Sequence, residues 1–181
     1  MDAGRSKSLK LRDRLIRVGP ERLADTLLDV AEGDRELKRR LELLAIEDDP
    51  EATADELAKQ IAALRRRKRF VRYGESFELA GELRLLIEAI RDRVFSDLPD
   101  RAFLLADGFL RTDAKVYERV DDSSGSVADV YRDACLLWLD AAARSGRDED
   151  WVERLRATAT DNDYGVRDPL LPNADRLLSG G

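Results

Sequence analysis

The chain has no histidine and a single cysteine, Cys135, among its 181 residues. One thiol cannot close an internal disulfide, so a disulfide-stapled secreted scaffold is excluded. Without an imidazole, neither a Ser–His nor a Cys–His nucleophile pair can be assembled, and Ser123, Ser124 and Ser126 have no such base to activate them. Cys135 sits in a mostly apolar stretch, where a free cysteine behaves as a small core residue. Gly74, Gly125 and Gly165 stand alone, so no phosphate-cradling glycine loop is present. Proline is scarce and β-branched residues are few, which argues against sheet. No apolar run approaches the length that crosses a bilayer, and no apolar segment follows the basic start as in a secretory signal. A cytoplasmic location is the expectation.

What the chain does have is charge. Charged residues make up 39% of it, well above the usual quarter, and hydrophobic residues a normal 43%. That mixture suits amphipathic helices with solvated outer faces. The net charge of −6 argues against nucleic-acid binding as a property of the whole surface. The charge is unevenly spread. Residues 1–72 contain 18 basic and 15 acidic side chains, and residues 73–181 contain 14 and 23. Such asymmetry can orient a partner or a second copy of the chain.

Apolar residues recur at helical spacing along most of the sequence. Residues 8–17 read as a short amphipathic helix or basic arm. Gly19-Pro20 opens the next helix, with Leu23, Leu27, Leu28 and Ala31, and Gly33-Asp34 turns into another, with Leu37, Leu41 and Leu44. The pair forms an αα-hairpin. Thr53 with Glu56 fits a capping box for the helix that runs into Arg65–Arg69. Ser76 is placed to cap a helix over 77–94, whose stripe runs from Phe77 through Leu83 and Ile87 to Val94. Pro99 starts a helix with Phe103, Phe109 and Tyr117. Asp121-Asp122-Ser123-Ser124-Gly125 marks a turn before a helix over 127–143, and Asp148 or Asp150 starts one with Trp151 and Leu155. Gly81 and Gly108 fall inside helices, which predicts close helix–helix approach there.

The expected fold is all-α, with about eight antiparallel helices. They form either stacked αα-hairpins, a short solenoid of TPR or HEAT type, or a compact helical bundle. The expected organisation is a basic arm over 1–18, a single helical domain over 19–172 and a weakly ordered tail over 173–181.

The stretches FELAGELRLLIEAI (77–90), AFLLADGFLRTDAKVYERV (102–120) and VDDSSG (120–125), with ERLADTLLDVAEGDRELKRRL (21–41) and DNDYGVRDPLLP (161–172), carry a resemblance. The chain resembles an uncharacterised bacterial all-helical family of unknown function. It is also similar to the helical regions that accompany SWIM-type zinc fingers. The resemblance implies a TPR-like or HEAT-like helical stack and no assigned activity. The Cys/His cluster of a SWIM zinc site is absent here. Relatives are expected to continue beyond residue 172, so the chain reads as a short member or as part of a longer architecture.

Two constellations invite a functional reading. The carboxylates Asp121, Asp122 and Asp163, with Asp129 and Asp161 nearby in sequence, are weak candidates for a hard cation such as Mg²⁺ or Ca²⁺. The loop 121–132 departs from the EF-hand pattern, because Arg132 stands where the bidentate glutamate belongs. The alternative is that these side chains cap helix ends. The run Arg65-Arg66-Arg67-Lys68-Arg69, followed by Phe70, Arg72 and Tyr73, is the strongest electrostatic feature. It can be a solvated helix C-terminus, a site for an acidic protein face, or a grip on phosphates with bases stacked on the aromatics. Phe109, Tyr131, Trp138 and Trp151 read as core residues rather than a ligand groove. Tyr164 either closes the core or marks an exposed binding surface.

The sequence thus points to a non-enzymatic helical scaffold or adaptor, with a protein partner or a second copy of itself and no cofactor. A nucleic-acid-associated module using residues 65–72 is the alternative, and a metal-dependent enzyme using the acidic loop is a distant third.

Overall fold

The computed structural model describes residues 12–45 and 49–178. The first eleven residues of the expected basic arm, residues 46–48, and the end of the tail at 179–181 lie outside the described residues.

The chain divides into two compact units, Met1–Ala45 and Ile46–Gly181, where the sequence reading set its boundary at residue 18. In the first unit, residues 12–18 are helical. Gly19, at a positive φ of 94°, then redirects the chain into α1 (Pro20–Ala31), with Pro20 in the first turn where its missing N–H costs nothing. α1 packs on α2 (Arg35–Ala45). Asp34 starts α2 as expected: one carboxylate oxygen accepts the N–H groups of Glu36 and Leu37 at 2.9 and 3.0 Å. Ala31 is buried, whereas Leu15, Ile16, Leu28 and Val30 are exposed.

The second unit contains α3 (Pro50–Arg66), α4 (Tyr73–Ala89) continued by a π-turn at Ile90–Val94, α5 (Pro99–Leu110), α6 (Asp113–Tyr117), α7 (Ser126–Arg144), α8 (Trp151–Thr160) and a 3₁₀ helix at Ala174–Leu178. No strand occurs among the described residues, and the all-α expectation holds. The core is built around α7, which packs against α4, α5 and the 3₁₀ helix, while α3 packs against α5. Eleven α7 residues are buried, among them Tyr131, Ala134, Cys135 and Trp138. A helix buried on most of its circumference is the centre of a bundle; a solenoid would pair each hairpin mainly with its successor.

Two helix starts differ from the expectation. α3 begins a turn earlier than the Thr53–Glu56 capping box implies. Pro50 occupies the first turn and Asp49 is the cap, accepting the Ala52 N–H at 3.0 Å. Proline's fixed φ suits that position, and Thr53 is buried inside the helix. α4 begins at Tyr73, and Glu75 reaches back to accept the Arg72 N–H at 3.2 Å. Ser76 is therefore inside the helix, where it donates to the Tyr73 carbonyl at 2.7 Å. Phe77, expected on the buried stripe, is exposed.

Two groups of aromatic rings pack in the second unit. Phe103 meets Trp138 at 5.3 Å and Trp151 at 4.9 Å between ring centres, and Phe109 meets Tyr131 at 4.9 Å. The Tyr131 hydroxyl is satisfied by Thr112 at 2.7 Å. Tyr164 stacks on Tyr117 at 4.9 Å and so closes the core edge while keeping one face in solvent. Gly108 makes only a loose approach, 3.9 Å from a Cβ position to Ile61, and Gly81 faces open space. The close helix approach expected at Gly81 is not made.

Candidate functional site: a basic cleft at the end of α3

The basic run begins in the last turn of α3 and leaves it as extended backbone. Arg65 and Arg66 close the helix, where cations offset the negative end of the helix dipole. Arg67 and Arg72 both have β-region backbone angles. Between them, Val71 is buried and forms a parallel bridge with Val120. The Val71 N–H donates to the Arg119 carbonyl at 2.7 Å, and the Asp121 N–H donates to the Val71 carbonyl at 2.9 Å. This clamp holds the basic segment beside the turn that follows α6.

The result is a cleft of about 610 Å³ lined by Arg65, Arg66, Arg67, Lys68, Lys115, Glu118 and Arg119. Some of these charges are already used. Arg67 donates to Glu82 at 2.6 Å. Lys115 donates to both oxygens of Glu118 at 2.8 Å. Arg69, just outside the lining, is paired with Glu75. Hydrogen bonding from the Arg72 amide, followed by the Arg69 charge, holds the Glu75 carboxyl below its ordinary range. Arg65, Arg66 and Lys68 are exposed and have no ion-pair partner among the described residues.

Arg119 is the unusual member. It is only 6% exposed, and its Nε and Nη2 have no hydrogen-bond partner. A buried guanidinium normally has its fork satisfied, because an unmade charged hydrogen bond is costly. Burial, and after it the neighbouring Arg67 charge, pull the Arg119 guanidinium below its ordinary value, while Tyr131 and Glu82 act in the opposite sense. Arg119 therefore lines the cleft while two of its guanidinium nitrogens leave their hydrogen-bonding capacity unused.

A second cavity, of about 220 Å³, is lined by Arg111, Arg154, Ala157, Thr158, Asp161 and Arg167. Its cations are all ion-paired, although the Arg154 Nε makes no hydrogen bond. Asp107 accepts from Arg111 at 2.9 Å, Arg154 at 2.8 Å and the Trp138 indole at 3.2 Å. Arg167 is held by Asp113 and Asp161. That cavity is a fastening of the fold.

The acidic candidates are not brought together as a cation site. Asp122 works as a cap for α7: it accepts the Val127 N–H at 3.0 Å and the Ala128 N–H at 2.8 Å across the turn that Gly125 makes at φ 73°. It also accepts the Tyr117 hydroxyl at 3.2 Å, and burial followed by this carboxylate pushes the Tyr117 phenol well above its ordinary range. Asp121 accepts from Ser123, Asp129 pairs with Arg132, and Asp163 is exposed. Among the described residues no group of three or more His, Cys, Asp or Glu side chains is placed to hold a metal ion. Cys135 is fully buried, with its sulfur 3.6 Å from the Val166 carbonyl.

Sequence reasoning located Arg65–Arg69 and Arg72 but missed Lys115, Glu118 and Arg119. The available signal was the place of Arg119 in AFLLADGFLRTDAKVYERV (102–120), one of the stretches that carry the family resemblance.

Fold and site together define an all-helical protein with a side-chain-built basic cleft, and none of its described helices is long and apolar enough to cross a membrane. The chain belongs to the family of unknown function DUF6880, whose model matches residues 5–180. The description of that family makes no reference to SWIM-type zinc fingers. No curated protein and no solved structure gives a significant match.

Proposed function

We propose that this protein is a non-enzymatic helical binding module that captures an acidic segment of a protein partner in the cleft at the end of α3. The observation that supports this most directly is Arg119, a buried guanidinium with two unpartnered nitrogens, beside three exposed and unpaired cations. Recognition by such a cleft rests on side chains. The nearby helix end is the negative pole of α3, which by itself repels anions. The absence of histidine from the sequence and the burial of Cys135 agree with a binding role rather than a covalent one.

The test is fluorescence anisotropy of the full chain with a labelled, glutamate-rich peptide. Binding should weaken steeply between 50 and 200 mM salt, by about tenfold or more, because exposed charges are screened over roughly 10 Å. Replacing Arg65, Arg66 and Lys68 by alanine should remove most of it. A wild-type chain that ignores the peptide at low salt would end this reading.

A second reading has its own support. Phe70 and Tyr73 are exposed, at 57% and 50%, next to Lys68 and Arg72. Cations alternating with exposed rings are what single-stranded nucleic acid uses for phosphate contact and base stacking. A labelled single-stranded oligonucleotide whose affinity falls on Phe70→Ala and Tyr73→Ala would favour it over the protein partner.

A further inference from the structure

We infer that the cleft is a phosphomonoester site, filled by a phosphorylated side chain on the partner, with Arg119 as its anchoring donor. This inference rests on the anion-binding reading above and narrows its ligand.

The argument begins with valence. A carboxylate brings one negative charge and two oxygens, and a single guanidinium fork satisfies it. The cleft offers more than that. Arg119 has Nε and Nη2 free of partners, and Arg65, Arg66 and Lys68 bring three further charges that nothing in the described chain neutralises. The one carboxylate in the lining, Glu118, is already bridged by Lys115 through both oxygens. A phosphomonoester, near −2 at neutral pH with three acceptor oxygens, matches this surplus better.

Geometry supports the same assignment. Nε and one Nη of arginine lie on the same edge of the fork, the edge that grips two oxygens of a phosphate or carboxylate. The Arg119 backbone is fixed by its carbonyl's bond to the Val71 N–H, which sets where the side chain leaves the wall. Nε and Nη2 are shielded from solvent, so an anion reaches them only as side-chain heads at the mouth move aside. Arg65, Arg66 and Lys68, long and exposed in the same lining, are able to close on the remaining oxygen.

The long-range field separates sources of phosphate. The chain is −6 overall, and residues 73–181 hold 23 acidic side chains against 14 basic. A polymer with a charge on every residue meets that repulsion along its length, whereas one phosphorylated side chain enters only the local positive region. A phosphopeptide is therefore favoured over a nucleic-acid strand.

The test is calorimetric titration of the full chain with three probes: a phosphoserine peptide with neutral flanks, the same peptide with glutamate at that position, and a single-stranded oligonucleotide. Inorganic phosphate serves as competitor. The phosphopeptide should bind about tenfold more tightly than its glutamate counterpart, as expected when one further charge-assisted bond is made. Phosphate should displace it. Arg119→Met should abolish the preference. Arg119→Lys keeps the charge but loses the fork, and should cut affinity severalfold while the helical circular dichroism signal is unchanged. That variant decides the matter if Arg119→Met does not fold. Equal binding of the phosphoserine and glutamate peptides overturns the phosphate assignment and leaves the acidic-partner reading standing. Tighter binding of the oligonucleotide overturns it in favour of nucleic acid. No binding of any probe removes both.

Discussion

Arg167 holds Asp113 by both edges of the pair: Nε donates to one carboxylate oxygen at 2.8 Å and Nη2 to the other at 2.9 Å, and both residues are buried. Nη2 also donates to the Leu110 carbonyl at 3.1 Å, and Nη1 donates to the Thr158 carbonyl and Asp161 at 3.2 Å. Burial pulls this guanidinium's pKa down, but the hydrogen bonds and charge of Asp113 more than offset that and hold its proton more firmly than usual. The same chain thus contains one buried arginine with its fork fully engaged and another, Arg119, with two nitrogens idle. The first belongs to the fold, and the second is the one on which the proposed anion site rests.

Asp113→Ala should be strongly destabilising. It leaves the Arg167 charge buried with most of its compensation removed, a situation that costs about 3–5 kcal/mol. Urea denaturation of the full chain measures it. A loss below about 1 kcal/mol, the scale of an ordinary exposed pair, would mean the pair is not a fastening of the core.

Arg119→Met should act in the opposite direction. The methionine keeps an apolar stem of similar reach and removes an unsatisfied buried charge, so stability should rise by about 1 kcal/mol. The preference for phosphoserine over glutamate should be lost in the same variant. A raised melting temperature with that preference lost separates a residue kept for recognition from one kept for packing. A variant that melts lower than the parent would contradict this.

Cys135 should resist thiol reagents in the native state. Burial raises its thiol to about 12, so the nucleophilic thiolate is scarce at neutral pH and the sulfur is covered. The linkage has a definite sign. The folded thiol titrates later than the unfolded one, so its contribution is intact below the ordinary value of 9.0 and is lost as pH climbs from there toward about 12. Cys135→Ala should flatten that alkaline decline. Rapid alkylation at pH 7 without denaturant would show that the α7 environment is open.

Gly81→Ala should stabilise the chain by about 0.5–1 kcal/mol, because alanine restricts the unfolded chain and suits a helix interior. A Cβ at that position meets nothing within 4 Å. Thermal denaturation followed by circular dichroism is sufficient. A destabilised variant would restore the idea that a neighbouring element needs the glycine.

Much of the helix pattern was legible because its signals are local. Pro20, Asp34, Pro99 and Asp150 mark helix starts by their own backbone chemistry, and the structure places each of them there. Thr53 was misread because a threonine three residues before a glutamate resembles a cap wherever it falls, and Ser76 because a serine just ahead of an apolar stripe does the same. Pro50 and the Glu75–Arg72 bond decided the true starts. Half of the candidate site was legible for the same reason: Arg65–Arg69 is contiguous. Lys115 and Arg119 were not, since they join the run only through the pairing of Val71 with Val120, a tertiary contact that no window of sequence contains. Asp107 shows the same limit. It sits on an apolar face of α5, and only the folded chain reveals the indole and two guanidinium groups that make its burial tolerable.

The Val71–Val120 bridge bears on how the proposed cleft would tell one anion from another. A short peptide copying residues 60–73 reproduces all the charge of the run and none of the wall opposite it. Such a fragment attracts any polyanion indiscriminately. On the proposed reading, selectivity would last only while two stretches of backbone stay zipped together by a pair of hydrogen bonds, so discernment between ligands should melt away with the tertiary structure while bare electrostatic stickiness survives it.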